Sequence, residues 1–295
     1  MTVAEQPGYG EVYDRGYQHY DGPRLGRGHA IWALTTYSMK RALGIKKGIS
    51  AKIIPILLYI GILVPVIVAI GVKGFLPQAE FIDYAGFVGI SFLIEGIFVA
   101  TIAPEMLCGD RRENVLPLYF SRAITRLDYL LAKVAATAIL TLTVSFVPLV
   151  ILWLGNQLLE DSPLEAMRIN IDDLGKIVIA GVLIAFYLGA IGLMISSFTG
   201  RKSIAVGIIV FGFLMTEAFA NTLLFAANLD PAWQRIVVFF SPTLTVTGLA
   251  TQMWEASADP ITSNIGLEAP VYGAVMVGVV LVCGVVMYLR YVPNE

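Results

Sequence analysis

Six stretches of this chain are long and apolar enough to cross a lipid bilayer, and no other feature limits the fold as strongly. A hydrocarbon core of about 30 Å requires about 20 apolar residues in an α-helix. Residues 53–72, 84–103, 129–155, 177–198, 203–226 and 271–289 each meet that requirement. Hydrophobic residues make up 57% of the chain and charged residues only 14%, against about 45–50% and about 25% in a soluble domain. This composition excludes a disordered chain, a basic nucleic-acid binder and an ordinary cytosolic enzyme. The expected fold is an all-α polytopic membrane protein with six transmembrane helices and no nucleic-acid partner.

Pro55, Pro65 and Pro148 fall inside these spans, where neighbouring helices can re-satisfy the freed carbonyls. A seventh apolar stretch, 236–250, is shorter and carries Ser241-Pro242-Thr243. Runs of that length are more often re-entrant or interfacial than spanning. Loop charge orients the bundle, because cytoplasmic loops collect Lys and Arg. With the N-terminus inside, six spans place 16 of the 20 basic residues on the cytoplasmic side and leave Lys73, Arg168, Lys176 and Arg235 outside. The formal net charge of -2 thus divides into +7 inside, -7 outside and the two intramembrane acids Glu95 and Glu217. Neither a secretory signal pattern nor a targeting segment is evident. The expectation is a multi-pass protein of a prokaryotic cytoplasmic membrane with both termini inside.

Residues 1–28 read as a cytoplasmic tail with Tyr13-Asp14-Arg15-Gly16-Tyr17 and Tyr20-Asp21-Gly22-Pro23-Arg24. Tyrosines at that density could anchor the tail on a cytoplasmic partner. Residues 29–52 place Ile31, Leu34, Met39, Ala42 and Leu43 among Lys40, Arg41, Lys46 and Lys47, the pattern of a basic amphipathic helix in the inner interface. The permease domain then runs over 53–290, with 291–295 a cytoplasmic C-terminus. Between spans two and three, Ala103-Pro104-Glu105 ends a helix at a breaker and Asp110-Arg111-Arg112-Glu113 follows. Next come Leu116-Pro117-Leu118-Tyr119-Phe120-Ser121-Arg122 and then Thr125-Arg126-Leu127-Asp128, whose spacing is that of a capping box. A charge cluster, an apolar-aromatic patch and a new helix start describe a cytoplasmic helical hairpin. It offers a protein partner both ion pairs and an aromatic anchor.

The connection from Pro104 to Tyr129 resembles that of ABC-2 type ABC transporter permeases. Phe240-Ser241-Pro242 and the apolar stretch after it are similar to that family's re-entrant hairpin before the last span. The resemblance implies a dimer with a second permease subunit, homomeric or heteromeric, and two copies of a separate ABC ATPase that bind ATP and Mg. It implies that the short helix after span two is a coupling helix entering a groove on the ATPase. The carried-over contact residues are Glu105, Arg111, Arg112, Glu113, Leu116, Tyr119, Phe120 and Arg122, with Arg201 and Lys202 of the Thr199–Lys202 turn as a smaller second contact.

No phosphate-binding string G-x-x-x-x-G-K-[ST] occurs, Gly200-Arg201-Lys202-Ser203 lacking both the order and the earlier glycine. Cys108 and Cys283 have no metal-ligand spacing, and both histidines lie near the N-terminus. The chain is expected to be no enzyme and to bind no cofactor or metal itself. An ionised group at the bilayer centre costs about 2.5–3.5 kcal/mol on insertion scales, so Glu95 and Glu217 should face the bundle interior. Either they line the translocation path or its gate with Asn221, or each hydrogen-bonds a neighbour, as Glu217 could with Asn221 one turn along. Two further readings remain open. One is an ion-coupled secondary transporter using Glu95 and Glu217; the other is a non-transporting membrane anchor of an ATPase complex. Small residues recur at spacing four in 181–200 and 274–278, which lets helices approach closely.

Overall fold

The computed structural model describes residues 22, 25–45, 48–76, 82–120, 124–226, 229–256 and 265–292, without the side chains of Leu118, Phe120 and Ala226. Tail residues 1–21, Arg122 and residues 293–295 lie outside the described residues. Among the described residues all regular structure is helical. In chain order the helices are α1 (Arg27–Ala42), α2 (Ile49–Phe75), α3 (Tyr84–Arg112), α4 (Leu116–Phe120), α5 (Arg126–Leu158) and α6 (Pro163–Ile169). They continue with α7 (Ile171–Phe198), α8 (Lys202–Ala226), α9 (Pro231–Val237), α10 (Pro242–Met253) and α11 (Ala269–Tyr291). Helices α2, α3, α5, α7, α8 and α11 are long and apolar enough to cross a membrane.

The central helices are α3, α5 and α7, and the others pack around them. Close approach needs small residues where helices cross. A Cβ at Gly192 of α7 would run into Val99 and come within 3.1 Å of Ala103 on α3. One at Gly181 would come within 3.1 Å of Phe146 on α5. The small-residue pattern of α7 therefore serves packing within the chain. Gly200 and Gly278, which share the spacing, face open space.

Pro104 does not end α3, contrary to the expectation from sequence; the helix continues eight residues further, to Arg112. A proline inside a helix removes one hydrogen bond and crowds the carbonyl four residues earlier. Here residues 102–104 and 106–110 are all buried, and the packing of this turn outweighs that local cost. The chain turns at Asn114, whose φ of 50° is the left-handed conformation that Asn tolerates better than most residues. The restart at α5 is a reciprocal capping box: Thr125 Oγ1 accepts from the Asp128 amide at 3.2 Å, and Asp128 Oδ2 accepts from the Thr125 amide at 3.1 Å.

The basic stretch at 29–52 is not one helix. α1 ends at Ala42, Gly44 turns with φ of 71°, and Lys52 already belongs to α2. The stretch 236–250 is likewise broken: α9 runs through a 3-10 turn (Val238–Phe240) into α10, bent by 112° at Ser241-Pro242. Pro242 suits the first helical turn because its missing amide would have no partner there. Ser241 Oγ accepts from the Leu244 amide at 3.3 Å and caps α10.

Candidate functional site

Two features of the bundle concentrate polar chemistry. The first is the end where the N-termini of α5 and α8 meet the C-termini of α3, α7 and α11; we call it the basic end. Asp110, near the C-terminus of α3, lies at its centre and is fully buried. Its Oδ1 accepts from Arg41 of α1. Its Oδ2 lies 2.8 Å from Lys133 Nζ and accepts from the Tyr129 hydroxyl at 2.9 Å. Lys133 also donates to Ser38 Oγ at 3.0 Å. Burial disfavours the charged Arg41, but Asp110 and then Glu113 outweigh it and hold the guanidinium above its ordinary pKa. A buried cluster of this kind survives only when each charge is paired and hydrogen-bonded.

Arg41 read in sequence as part of a solvent- or lipid-facing basic face. The structure turns it inward, because α1 packs on α5 and α3 through Leu34, Thr35, Ser38 and Ala42. A second clamp is bidentate: Arg27 Nε and Nη2 both donate to the Asp128 carboxylate, at 2.8 and 2.7 Å.

The expected partner-contact residues divide into two groups. Arg111 donates to the Ser197 carbonyl at the end of α7, and Arg290 of α11 donates to the same carbonyl at 2.7 Å. Glu105 pairs with Lys202 at 2.6 Å across α3 and α8. These three residues, Glu105, Arg111 and Lys202, are engaged inside the chain. Arg112 and Glu113 are 63% and 50% exposed, and Arg201 is exposed as well. Leu116 and Tyr119 are half-buried, the Tyr119 ring lying 5.7 Å from that of Tyr129. Burial, followed by the charge of Asp110, pushes the Tyr119 phenol up. Arg122 and the Phe120 side chain lie outside the described residues. Sequence reasoning had no signal for Lys133, Tyr129 or Ser38, each of which reads as ordinary helix content until α1, α3 and α5 are packed together.

The second feature is a pair of adjoining cavities between α3, α8 and α10. One of about 190 Å³ is lined by Phe92, Leu93 and Gly96 of α3, Phe213 and Leu214 of α8, and others. One of about 470 Å³ is lined by Ile90 of α3, Asn221 of α8, and Thr247 and Thr251 of α10, among others. Gly89, Glu217 and Thr243 line both. Glu217 does not bond Asn221: its Oε2 accepts from Thr243 Oγ1 of α10 at 3.1 Å, and Asn221 Oδ1 is buried without a partner. The fold brings α10 to this carboxyl, which helix spacing within α8 cannot reveal. Glu95 is outside both linings. It is buried at 3% exposure, with Oε1 2.9 Å from Ser91 Oγ and Oε2 unpartnered. Among the described residues no group of His, Cys, Asp and Glu is placed to hold a metal.

The fold is thus a bundle with six helices able to span a membrane, cavities between α3, α8 and α10, and a charged corner at one end. The chain belongs to the ABC-2 family of transporter proteins, whose family model it matches over residues 64–289. The match starts within α2 and ends within α11, so α1 lies outside it even though Asp110 ties α1 to the matched part. No curated protein matches the sequence.

Proposed function

We propose that this chain is the permease subunit of an ABC exporter, pairing with a second permease subunit and driven by ATP hydrolysis in separate ATPase subunits. The observation that carries this reading is the corner at the end of α3. There Arg112 and Glu113 are exposed beside the short α4, while Glu105, Arg111 and Lys202 tie the same corner to α7 and α8. A push on the exposed charges is passed into the bundle through these half-buried ties. ATP and Mg belong to the partner, since the chain lacks a phosphate-binding loop.

The basic end faces the cytoplasm in this reading, because Lys and Arg accumulate on the inner side. The ATPase contacts the chain through Arg112, Glu113, Leu116 and Tyr119, with Phe120 and Arg122 carried over from the sequence motif and Arg201 as a smaller second contact. The bent α9–α10 pair is a re-entrant hairpin, since neither half is long enough to cross alone. Glu217 and Asn221 line the translocation path, and Glu95 is a structural acid of α3.

Affinity purification of the tagged chain from its native membrane tests the proposal. A Walker-motif ATPase should co-purify, and reversing both exposed charges (Arg112→Glu with Glu113→Lys) should release it while the chain stays folded. A chain that purifies alone and transports without ATP would overturn the reading.

A further inference from the structure

The walls of the two cavities specify a ligand chemistry. Among all the lining residues, Glu217 is the only one with a formal charge, and among the described residues no cation pairs with it. Glu217 is half-buried within a span, where an unpaired acid is costly, so a ligand carrying one positive charge gains more here than in water. The hydroxyls around Glu217 are already used as donors: Thr243 Oγ1 donates to Glu217 Oε2 at 3.1 Å, and Thr247 Oγ1 to the Thr243 carbonyl at 3.0 Å. Asn221 Oδ1, one turn along α8, is a buried acceptor without a partner. The polar part of the site thus presents two acceptors, the Glu217 carboxyl and Asn221 Oδ1, and a buried acceptor left unmet is costly. Both acceptors are open to an N–H donor brought by a ligand.

The smaller cavity supplies the other half of the specification. Phe92 and Phe213 pack against each other with rings tilted at 56° and centroids 5.8 Å apart, with Leu93, Ile97, Val210 and Leu214 around them. Gly96 permits this approach, since a Cβ there would come within 3.0 Å of the Phe213 ring. The wider cavity, at about 470 Å³, falls in the range of about 300–1,000 Å³ usual for small-molecule sites.

We propose that the adjoining cavities bind an amphipathic organic amine, with its ammonium N–H groups on Glu217 and Asn221 and its apolar or aromatic body against the wall formed by Phe92 and Phe213. That the amine is cargo rests on the permease reading. Binding itself is measured without an ATPase, so the two ideas fail separately.

The test uses the purified full chain in lipid nanodiscs and equilibrium binding of radiolabelled 4-phenylbutylamine. Two competitors differ from it only at the head: the uncharged 4-phenylbutanol, and the trimethylammonium analogue, which has no N–H. The amine should bind saturably and at least tenfold more tightly than either. Glu217→Gln should weaken it at least tenfold with an unchanged melting temperature. Gly89→Leu, which adds volume to the shared wall and leaves every polar group in place, should abolish binding and serves if the Gln variant fails to fold. Equal binding of the alcohol or of the trimethylammonium compound overturns the proposal, as does full affinity in a folded Glu217→Gln chain. Added oxidant that cross-links Leu214→Cys chains through a disulfide as fully at saturating amine as without it also overturns the proposal, because a second copy then occupies the cavity.

Discussion

Lys133 Nζ lies 2.8 Å from Asp110 Oδ2, and both side chains are fully removed from solvent. The pair joins α5 to α3, and Arg41 on the other carboxylate oxygen adds α1. Removing one partner of a buried pair leaves an uncompensated charge, at a cost of about 3–5 kcal/mol. Asp110→Ala strands Lys133 and leaves Arg41 only the 3.8 Å contact with Glu113, whereas Lys133→Met leaves the carboxylate with Arg41 and the Tyr129 hydroxyl. Asp110→Ala should therefore be the more destabilising, by about 3–5 kcal/mol in reversible unfolding from mixed micelles. Equal losses, or the reverse order, would show that the cluster does not act as a unit centred on Asp110.

The neighbours Arg111 and Arg112 should behave oppositely. Arg111 donates to the Ser197 carbonyl across helices, and losing a hydrogen bond from a charged donor costs about 1.5–3 kcal/mol. Arg112 is 63% exposed, and its contact with Glu113 is long, at 3.5 Å, so Arg112→Ala should change stability by no more than about 0.5 kcal/mol. In the co-purification assay the order should reverse, with Arg112→Glu losing the ATPase and Arg111→Ala, if folded, keeping it. Melting curves and pull-downs of the two variants side by side decide the matter.

Thr125 caps α5 in a reciprocal box with Asp128. Replacing such a residue with Ala costs about 0.5–2 kcal/mol. Thr125→Ser, which keeps the acceptor, should recover most of that loss. A Thr125→Ser variant as unstable as Thr125→Ala would show that the threonine methyl, and not the cap, carries the effect.

Gly192 and Gly200 share a helical spacing but differ in surroundings. A side chain at Gly192 collides with Val99 on α3, and one at Gly200 meets nothing within 4 Å. Gly192→Val should cost about 1–3 kcal/mol by overpacking, and Gly200→Ala should stay within about 0.5 kcal/mol. Thermal unfolding of both in the same detergent is the check, and similar losses would remove the distinction.

The start of α5 was legible in the residues because a capping box is local: Thr125 and Asp128 are three positions apart and satisfy each other. The six apolar runs were legible for the same reason, since span length follows from bilayer thickness alone. The end of α3 was misread at Pro104, because the local cost of a proline is visible in sequence and the packing that outweighs it is not. For Glu217 the sequence left a bond to Asn221 open as one of two readings. Asn221 is its neighbour along α8, but Thr243 reaches it from a helix 26 positions away. Arg111 looked as available as Arg112 until α7 brought the Ser197 carbonyl beside it.

By itself, then, the sequence determined that this is a helical membrane protein with six segments able to span, and where its charge lies. Hydrophobic length and loop charge are properties of segments, and a bilayer acts on segments. Tertiary structure alone decided which charges are spent inside the chain and which remain exposed. It assembled Asp110, Lys133, Tyr129 and Arg41 from α1, α3 and α5, and it set Glu217 and Asn221 in a cavity walled by α3, α8 and α10. Pairing at about 3 Å depends on how helices pack, and side chains far apart in sequence carry no sign of it until they meet.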